Sequence, residues 1–578
     1  MKKIKSQLNI QDKYKMNIIN PYRYISELKE FITEWELISG VTFTFPAGNT
    51  GSYNGEINFG DGAGWKTVTS YNDSNLTFTP SFTTTYQIRV RGDFPWLRIN
   101  VGSVKNYLTK VIQWGDVGFL AFETSFYGCI NLVELPEGLI TGAEAVQDCG
   151  SMFRSCTSLT TIPTDLFDLM ISVTQFDSLF QGSAITSLPS GLFDNNTLVT
   201  NFYSAFNGCT SLTGITSGLF RYNTLVINLS YTFYGCISLT TLPTDLFDNN
   251  TGVTTFANTF YGCSSLTSIP SGLFDNNTGV TTFVSTFYNC AITTVPTDIF
   301  KYNTLVTSFE GTFFGNNFTT LPADLFRYNI LTTNFNSCFH TSDLVTIPTG
   351  MFDYNTLVTD FGATFRNTDI TAIPSNLFDN NTAVIYFWHC FRDCTSLVTV
   401  PTALFDYNTS VTTYIYCFYG CSGIVTFPAL DMSSATDFTN CWNNCISMTT
   451  FGACDVSGGT IFSYTWQNCD SIVTFPQLTW GSPVSLLGTW AGCDVLTSVI
   501  GIGNINITAN TTAANLFDGV TLNTSNYDEL LTGWEGQTEP ASITLDGGNS
   551  QYSAGAAATA RAALVSNGWI ITDGGQEP

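Results

Sequence analysis

The sequence predicts an α/β solenoid, because a large aromatic residue returns at a fixed interval through most of the chain. The interval is 26 or 27 residues between phenylalanines and then 24 residues between tryptophans. Such a period is typical of a solenoid, in which each unit buries its apolar face against its neighbours. About fifteen coils therefore fill residues 111–500. The recurring residues are Phe126, Phe153, Phe180, Phe206, Phe233, Phe260, Phe287, Phe313, Phe339, Phe365, Phe391, Phe418, Trp442, Trp466 and Trp490.

One unit, VTTFANTFYGCSSLTSIPSGLFDNNT from Val253, shows which positions should be buried. Phe256 and Phe260 are four residues apart and would share one face of a helical turn. Pro270 lacks the N–H that a central strand needs, so any strand ends there. We expect five positions of this unit, with their equivalents, to form the core: Phe256, Phe260, Leu266, Ile269 and Phe274.

An asparagine follows the last core phenylalanine of most units by three residues. Asparagine tolerates the left-handed conformation, so this column is expected to reverse the chain. The surrounding DNNT cluster has an alternative interpretation as a calcium site. However, Arg221, Lys301 and Arg327 stand where other units have aspartate, and a cation is a poor metal ligand. The column comprises Asn196, Asn223, Asn250, Asn277, Asn303, Asn329, Asn355, Asn381 and Asn408.

Eleven of the seventeen cysteines occupy one column, three residues after the core aromatic. The other units have Ser183, Asn316, Ser342 and Thr368 there. Small polar residues replacing cysteine singly predict a packing and hydrogen-bonding ladder of reduced thiols rather than disulfide pairs. Oxidation between adjacent coils stays open, since their Cα atoms lie within disulfide range. No metal site is expected, because no histidine-bearing partner motif accompanies the cysteines.

The repeats resemble a known family. FYGCSSLTSIP (260–270) is similar to the F-x-G-C-x-S-L-T-x-I-P signature of BspA-like leucine-rich repeat surface proteins, and NNFTTLPADLF (316–326) resembles the general leucine-rich repeat core. This resemblance implies right-handed coils with one short parallel strand each.

The flanking regions predict two further modules. Residues 41–110 resemble PKD-like immunoglobulin-type sandwiches through Gly60-Asp61-Gly62 and TTYQIRVRGDF (84–94); we expect Asp61 to shape a hairpin turn, with catalysis or calcium binding as alternatives. Residues 501–578 contain a predicted helix over 526–537, a strand and turn over 542–553, and a helix ended by Gly568 before a last strand. This tail resembles the terminal module of such repeat proteins in Bacteroidetes and their phages. It is expected to cap the last coil.

Residues 1–40 form a predicted anchor segment, partly helical and amphipathic over 19–38. INPYRY (19–24) resembles N-terminal segments of structural proteins of phages that infect Bacteroidetes, which implies attachment to virion proteins. The first residues contain lysines but no apolar core or cleavage site, so no signal peptide is expected.

Charge and composition exclude several function classes. The net charge is −25, although residues 1–40 hold seven Lys/Arg against five Asp/Glu. An acidic body repels phosphate backbones and anionic membranes, so nucleic-acid binding and membrane insertion are not expected. With only His340 and His389 available, a His-based catalytic arrangement lacks its base. We predict no enzyme and no cofactor.

The candidate ligand-binding residues lie one position after the core aromatic. We call this position the aromatic row. Two interpretations are open: stacking between neighbouring coils, which the regular register favours, and a platform for sugars or a protein receptor. Its predicted members are Tyr127, Tyr234, Tyr261, Tyr288, Phe314, His340 and Tyr419.

Together these features predict a non-enzymatic phage virion surface protein, a fibre or appendage of tail or head, that adheres to the bacterial host. It would be made in the host cytoplasm, join virion proteins through residues 1–40 and bind a cell-surface glycan or protein. A homo-oligomer stays open. The alternatives are a bacterial cell-surface adhesin and a purely structural decoration protein.

Overall fold

The computed structural model describes residues 30–100, 102–507, 511–537 and 543–578. The chain divides into two compact units, Met1–Leu266 and Thr267–Pro578. The first contains a β domain followed by coils. The second contains further coils and a C-terminal module.

The β domain consists of two antiparallel sheets. The larger sheet has the strand order β4-β3-β6-β1-β7, and β2 pairs with β5 in the smaller one. Its apolar centre includes the fully buried Trp35, Phe45 and Phe94. Asp61 Oδ1 accepts the Ala63 N–H at 3.0 Å and so shapes the turn between β3 and β4. The strands are β1 (Phe31–Leu37), β2 (Phe43–Thr44), β3 (Asn54–Asn58), β4 (Lys66–Val68), β5 (Thr77–Phe78), β6 (Thr84–Asp93) and β7 (Leu108–Gln113).

The prediction that residues 1–40 form a separate, partly helical segment is wrong for Phe31–Leu37. In β1 the residues Phe31, Thr33, Trp35 and Leu37 are buried and alternate with more exposed neighbours. That period of two belongs to a strand. β1 pairs with β6 on one edge and β7 on the other. The β domain therefore includes residues 31–113 instead of 41–110. Residues 1–29 of the predicted anchor lie outside the described residues.

In the first unit the coils stack through single parallel β-bridges. The bridged residues are Asp148, Gln175, Asn201, Asn228 and Thr255, each paired with the next. The core phenylalanines stack in the same order, from Phe126 on Phe153 at 5.2 Å between ring centroids to Phe233 on Phe260 at 5.7 Å. This agrees with the predicted solenoid.

The coils of the second unit repeat the pattern and then shorten. Parallel bridges link Thr282 to Ser308 and continue coil by coil to Thr512. In the later coils short parallel strand pairs form, and Trp442 stacks on Trp466 at 5.4 Å. The predicted core positions Ile269 and Phe274 are at most 5% exposed here, as are Phe256, Phe260 and Leu266 in the first unit. The strands are β8 (Thr426–Phe427), β9 (Thr450–Phe451), β10 (Asp455–Val456), β11 (Thr474–Phe475), β12 (Thr479–Trp480) and β13 (Ser498–Val499).

Helical coils, implied by the predicted α/β class, are not what the structure shows. Among the described residues, α-helices occur only after residue 523. Between the two aromatic positions of each coil lies a residue with positive φ, such as Asn258 at 58° and Ser285 at 51°. A right-handed helix cannot continue through a left-handed residue. Two successive turns, instead of a helix, bring residues four apart onto one side.

The predicted cysteine ladder is present as a set of inter-coil hydrogen bonds. The Sγ of Cys236 donates to the Phe206 carbonyl at 3.3 Å, and that of Cys421 donates to the Phe391 carbonyl at 3.0 Å. Ser183 and Asn316 make the same bond to Phe153 and Phe287 at 2.6 and 2.8 Å. Burial raises the pKa of these thiols, for example that of Cys394 to about 11. The side chains therefore stay protonated donors.

The asparagine column is buried and does not adopt the predicted left-handed conformation. Asn381 Nδ2 donates to the carbonyls of Phe352 and Asn355 in the preceding coil, at 3.1 and 2.9 Å. None of the nine asparagines appears among the described residues with positive φ. Each amide is a second donor to carbonyls that also accept a backbone N–H: the Phe352 carbonyl accepts from Asn355 at 3.0 Å, and the Asn355 carbonyl accepts from Val358 at 3.2 Å. Left-handed backbone occurs elsewhere in the coil, for example at Asp393.

The C-terminal module contains the two predicted helices. α1 (Thr524–Glu535) begins at Asn523, whose side chain accepts the Asn526 N–H. α2 (Ala556–Ser566) is followed by Gly568 with φ 90°. β14 (Thr544–Asp546) pairs in parallel with β15 (Ile570–Thr572). Trp534 of α1 is buried and donates from Nε1 to the Ile502 carbonyl, which fixes this helix against the end of the coils.

Candidate functional site

The aromatic row is held at a fixed spacing by backbone hydrogen bonds between coils. In each case the residue after the row position donates its N–H to the row carbonyl of the next coil. Gly235 donates to Tyr261 at 2.7 Å in the first unit, and Gly315 donates to His340 at 2.8 Å in the second. Neighbouring row residues therefore sit about 4.8 Å apart, the usual strand spacing.

In the first unit the row residues stack on each other or on cations. Tyr234 and Tyr261 lie 4.6 Å apart with nearly parallel rings. Tyr127 is flanked by Lys105 and Arg154 at 5.7 and 5.4 Å from its ring centre. All three tyrosines are half-buried. This arrangement matches the packing interpretation of the row and leaves each tyrosine partly exposed.

In the second unit the row changes from aromatic to cationic and back. Tyr288 stacks on Phe314 at 4.0 Å, and Phe314 meets His340 edge-on at 4.4 Å. The same row position in the following three coils is occupied by Arg366, Arg392 and Tyr419. Sequence reasoning missed the two arginines because it searched the row for aromatic residues. Their position one residue after Phe365 and Phe391 was the available signal.

Arg392 is the centre of an aromatic and polar cluster. Its guanidinium lies 4.7 Å from the Tyr419 ring centre and 4.9 Å from that of Tyr416. It also donates to His389 Nδ1 at 3.2 Å, and His389 stacks on Tyr416 at 4.8 Å. Both histidines of the chain are thus within this part of the surface. Such cation–π contacts contribute about 0.5–1 kcal/mol each at exposed sites.

The electrostatics of this cluster differ from those of the chain as a whole. Residues 267–578 contain 24 Asp/Glu and five Lys/Arg. Lys301, Arg327 and Arg561 each have a separate acidic partner. Arg366 and Arg392 share Asp393, whose Oδ2 lies 4.0 and 3.1 Å from their Nε atoms. The two arginines therefore carry one positive charge more than the single carboxylate of Asp393 neutralises.

The pKa values of the two histidines reflect this local excess. Burial, with Arg366 and Arg392 nearby, lowers the pKa of His340 to about 4 and that of His389 to about 4. Burial and the charge of Arg392 also lower the pKa of Arg366. At neutral pH the histidines are uncharged, so the positive charge of the cluster resides on the arginines.

A second set of aromatic residues, absent from the sequence prediction, is more exposed than the aromatic row. We call Tyr302, Tyr328 and Tyr354 the outer tyrosine row; they are 47%, 37% and 48% exposed in three consecutive coils. Lys301 lies over Tyr302 and Tyr328, and Arg327 lies over Tyr328 and Tyr354, at 5.3–5.9 Å from the ring centres. The sequence signal was the replacement of DNN by KYN, RYN and DYN.

The described residues show no arrangement for metal chemistry or membrane crossing. They contain no group of three or more His, Cys, Asp or Glu side chains placed to hold a metal ion. Nor does this part of the chain include a helix long and apolar enough to cross a membrane. The second asparagine of each DNNT cluster points into the coil, as Asn381 does, where its amide nitrogen donates to carbonyls of the preceding coil.

Solved structures similar to this chain include leucine-rich-repeat proteins. The Toll–Spatzle complex of Drosophila shares 16% identity over 83% of this chain and 64% of the Toll complex chain, with a TM-score of 0.37. The APL1 leucine-rich repeat domain shares 13% identity over 50% of this chain and 73% of that chain, with a TM-score of 0.27. The TLR13–ssRNA13 complex shares 10% identity over 75% of this chain and 84% of that chain, with a TM-score of 0.20.

The chain thus spans less than two thirds of the first of these structures. At such identities and TM-scores the likeness carries no argument about ligands or partners. No protein-family model and no curated protein matches the chain.

Proposed function

We propose that this chain is a non-enzymatic recognition protein on the surface of a phage virion, attached through its N-terminal residues and contacting the bacterial host with its coils. The observation that carries the recognition half is the outer tyrosine row. Three half-exposed tyrosines recur in consecutive coils with cations over their rings. Tyrosine supplies rigid, amphipathic contact area and is enriched in interface hot spots.

The virion half rests on the resemblance of the N-terminal segment to phage structural proteins and of the repeats to BspA-like surface proteins. A bacterial adhesin with the same coils and a decoration protein without a ligand are the alternatives. Mass spectrometry of purified particles distinguishes the virion protein from the bacterial adhesin, because an adhesin would be found on cells and not in particles.

Recognition is tested by replacing the outer tyrosine row with the residue that other coils carry there. Asn276 and Asn380 occupy the same repeat position, so Tyr302→Asn, Tyr328→Asn and Tyr354→Asn should preserve the fold. The triple variant is expected to reduce binding of the purified chain to host cells by at least tenfold. The matched control is Val398→Thr, Val425→Thr and Val473→Thr, which changes equally exposed side chains elsewhere. Unchanged binding of the tyrosine variant would refute this surface.

Attachment is tested by deleting residues 1–29. This boundary spares β1, whose Trp35 is fully buried in the β domain. The truncated chain should fold and bind cells but be absent from particles assembled in its presence. Incorporation of the truncated chain at the normal level would contradict the anchor assignment. Normal host adsorption by particles that lack the whole protein would favour the decoration role.

A further inference from the structure

We propose that the segment of the aromatic row from Phe314 to Tyr419, called here the arginine segment, binds a carboxylate-bearing oligosaccharide, with Arg366 and Arg392 contacting the sugar carboxylate. This deepens the proposed recognition function and rests on it. The segment comprises Phe314, His340, Arg366, Arg392 and Tyr419 in five adjacent coils.

The two guanidinium groups are close enough to bind one anion together. Both Nε atoms lie within 4.0 Å of the same oxygen of Asp393. Arg366 Nε is screened from solvent and has no hydrogen-bond acceptor among the described residues. The side chains of Arg366 and Arg392 are still 33% and 23% exposed. A second carboxylate that reaches the exposed parts of these side chains would therefore neutralise the remaining charge, and arginine is well suited to planar carboxylates.

The aromatic ends of the segment favour a sugar over a simple anion. Phe314 lies two coils before Arg366, and the Tyr419 ring lies 4.7 Å from the Arg392 guanidinium. Aromatic rings provide the flat apolar surface on which the apolar face of a sugar can pack. At about 4.8 Å per coil, five coils extend roughly 19 Å, so the segment suits an oligomer.

The backbone of the segment argues against an acidic peptide as the ligand. The carbonyls of His340, Arg366, Arg392 and Tyr419 all accept N–H groups of the preceding coil, at 2.7–2.8 Å. The row therefore presents no unpaired strand edge to which a peptide could add. Recognition must come from side chains, as it does for a glycan. The net charge of −25 of the whole chain opposes an acidic ligand at long range, so a preference for acidic over neutral sugars must come from the local charges of Arg366 and Arg392.

The experiment uses calorimetric titration of the full chain with tetragalacturonate and with its methyl ester, which has the same size without the charge. The acid is expected to bind at least tenfold more tightly than the ester. Arg366→Gln and Arg392→Gln should each weaken acid binding by about tenfold or more, the loss of a hydrogen bond to a charged group. Gln181 and Gln467 occupy the same row position in other coils, so the repeat accepts glutamine there.

Two further variants sharpen the test. Asp393→Asn removes the competing carboxylate and should strengthen binding; Asn367 and Asn444 adopt the same left-handed conformation at the equivalent position. Arg89→Gln removes a cation of the β domain, outside both the arginine segment and the outer tyrosine row, and should leave binding unchanged. Equal binding of acid and ester, equal binding of polyglutamate, or an equal loss in Arg89→Gln would each overturn the proposal.

The two proposals fail separately. If the chain binds host cells but the arginine-segment variants bind them as well as the natural chain does, and tetragalacturonate is not bound, the acidic-glycan assignment alone is wrong. If the natural chain binds no host cell, the recognition function itself is wrong.

Discussion

The buried columns and the surface rows of residues 267–578 follow opposite rules. The asparagine column keeps one residue type in coil after coil, and each amide meets two carbonyls of the preceding coil. The aromatic row, with an equally regular backbone, passes from Tyr288 to His340 to Arg366 within a few coils. The difference teaches that inter-coil backbone hydrogen bonds fix the spacing, whereas the two hydrogen bonds of each buried amide fix the residue. Exposed positions on the same backbone are free to vary.

The largest effect should come from the core aromatic column. Phe365 is fully buried and stacks on Phe339 and Phe391 at 5.8 and 5.7 Å. Phe365→Ala should cost about 3–5 kcal/mol through lost burial and a residual cavity. Guanidinium unfolding would measure it, with amide hydrogen exchange showing whether the loss is local. A cost below about 1 kcal/mol would mean that the column is not the core of the coil.

The asparagine column offers a matched pair of neighbouring residues. Asn381 is buried and Asn380 beside it is exposed. Asn381→Ala removes two hydrogen bonds to buried carbonyls, which keep one backbone N–H each. The loss should cost about 1–3 kcal/mol, whereas Asn380→Ala should stay within about 0.5 kcal/mol. Chemical unfolding of both variants compares them directly. Equal costs would show that the buried amide contributes no more than the exposed one.

The sequence predicted the features that repeat within a single unit. Core positions such as Phe256 and Leu266, the cysteine ladder and the terminal helices could all be predicted from spacing and residue type. The asparagine conformation could not be predicted, because its partners are carbonyls of the preceding coil and no local pattern reveals them. The partly helical segment predicted over 19–38 is wrong at Phe31–Leu37 for another reason. Buried residues alternate there with the period of two that belongs to a strand.

The candidate site was only partly predictable. The sequence located the aromatic row, including His340, by its register with Phe339. The favoured interpretation of the row was stacking between neighbouring coils, and the rings of Tyr234 and Tyr261 do stack on each other. How much of each ring stays exposed could not be predicted, since it depends on the adjacent coil. Arg366 and Arg392 occupy the same register one residue after the core phenylalanine, but they are not aromatic and so did not match the pattern that defined the row. Their shared use of Asp393 depends on contact between coils, which no single unit encodes.

The histidines provide a pH test of the same surface. Their pKa values fall to about 4 in the folded chain, below the usual 6.5, through burial and the neighbouring Arg366 and Arg392. Between pH 6.5 and 4 the unfolded chain therefore binds more protons, and stability should fall as the pH falls. The double variant His340→Tyr and His389→Asn uses residues found in these columns and should lose less stability over this range.

Acidic groups with the opposite shift provide the internal control for that measurement. Burial raises the pKa of Asp360 and Asp379, so these carboxyls favour the folded state as the pH falls. The natural chain and the double histidine variant both retain Asp360, Asp379, Asp393 and the two arginines. Urea unfolding at pH 7, 5.5 and 4.5 should therefore isolate the histidine contribution. Parallel pH profiles for the two chains would contradict the lowered pKa values.

Among the aromatic substitutions, the smallest stability effect is expected at the outer tyrosine row, and this completes the comparison between burial and exposure. Tyr328→Asn removes a ring that is 37% exposed and contacts Lys301 and Arg327, so the free energy of unfolding should fall by no more than about 1 kcal/mol. Phe314→Ala, in the half-buried aromatic row, loses stacking on Tyr288 and should cost more, about 1–2 kcal/mol. Chemical unfolding gives both values. If Tyr328→Asn were the more destabilising change, the outer row would be a structural element, and its loss of cell binding could not be attributed to recognition.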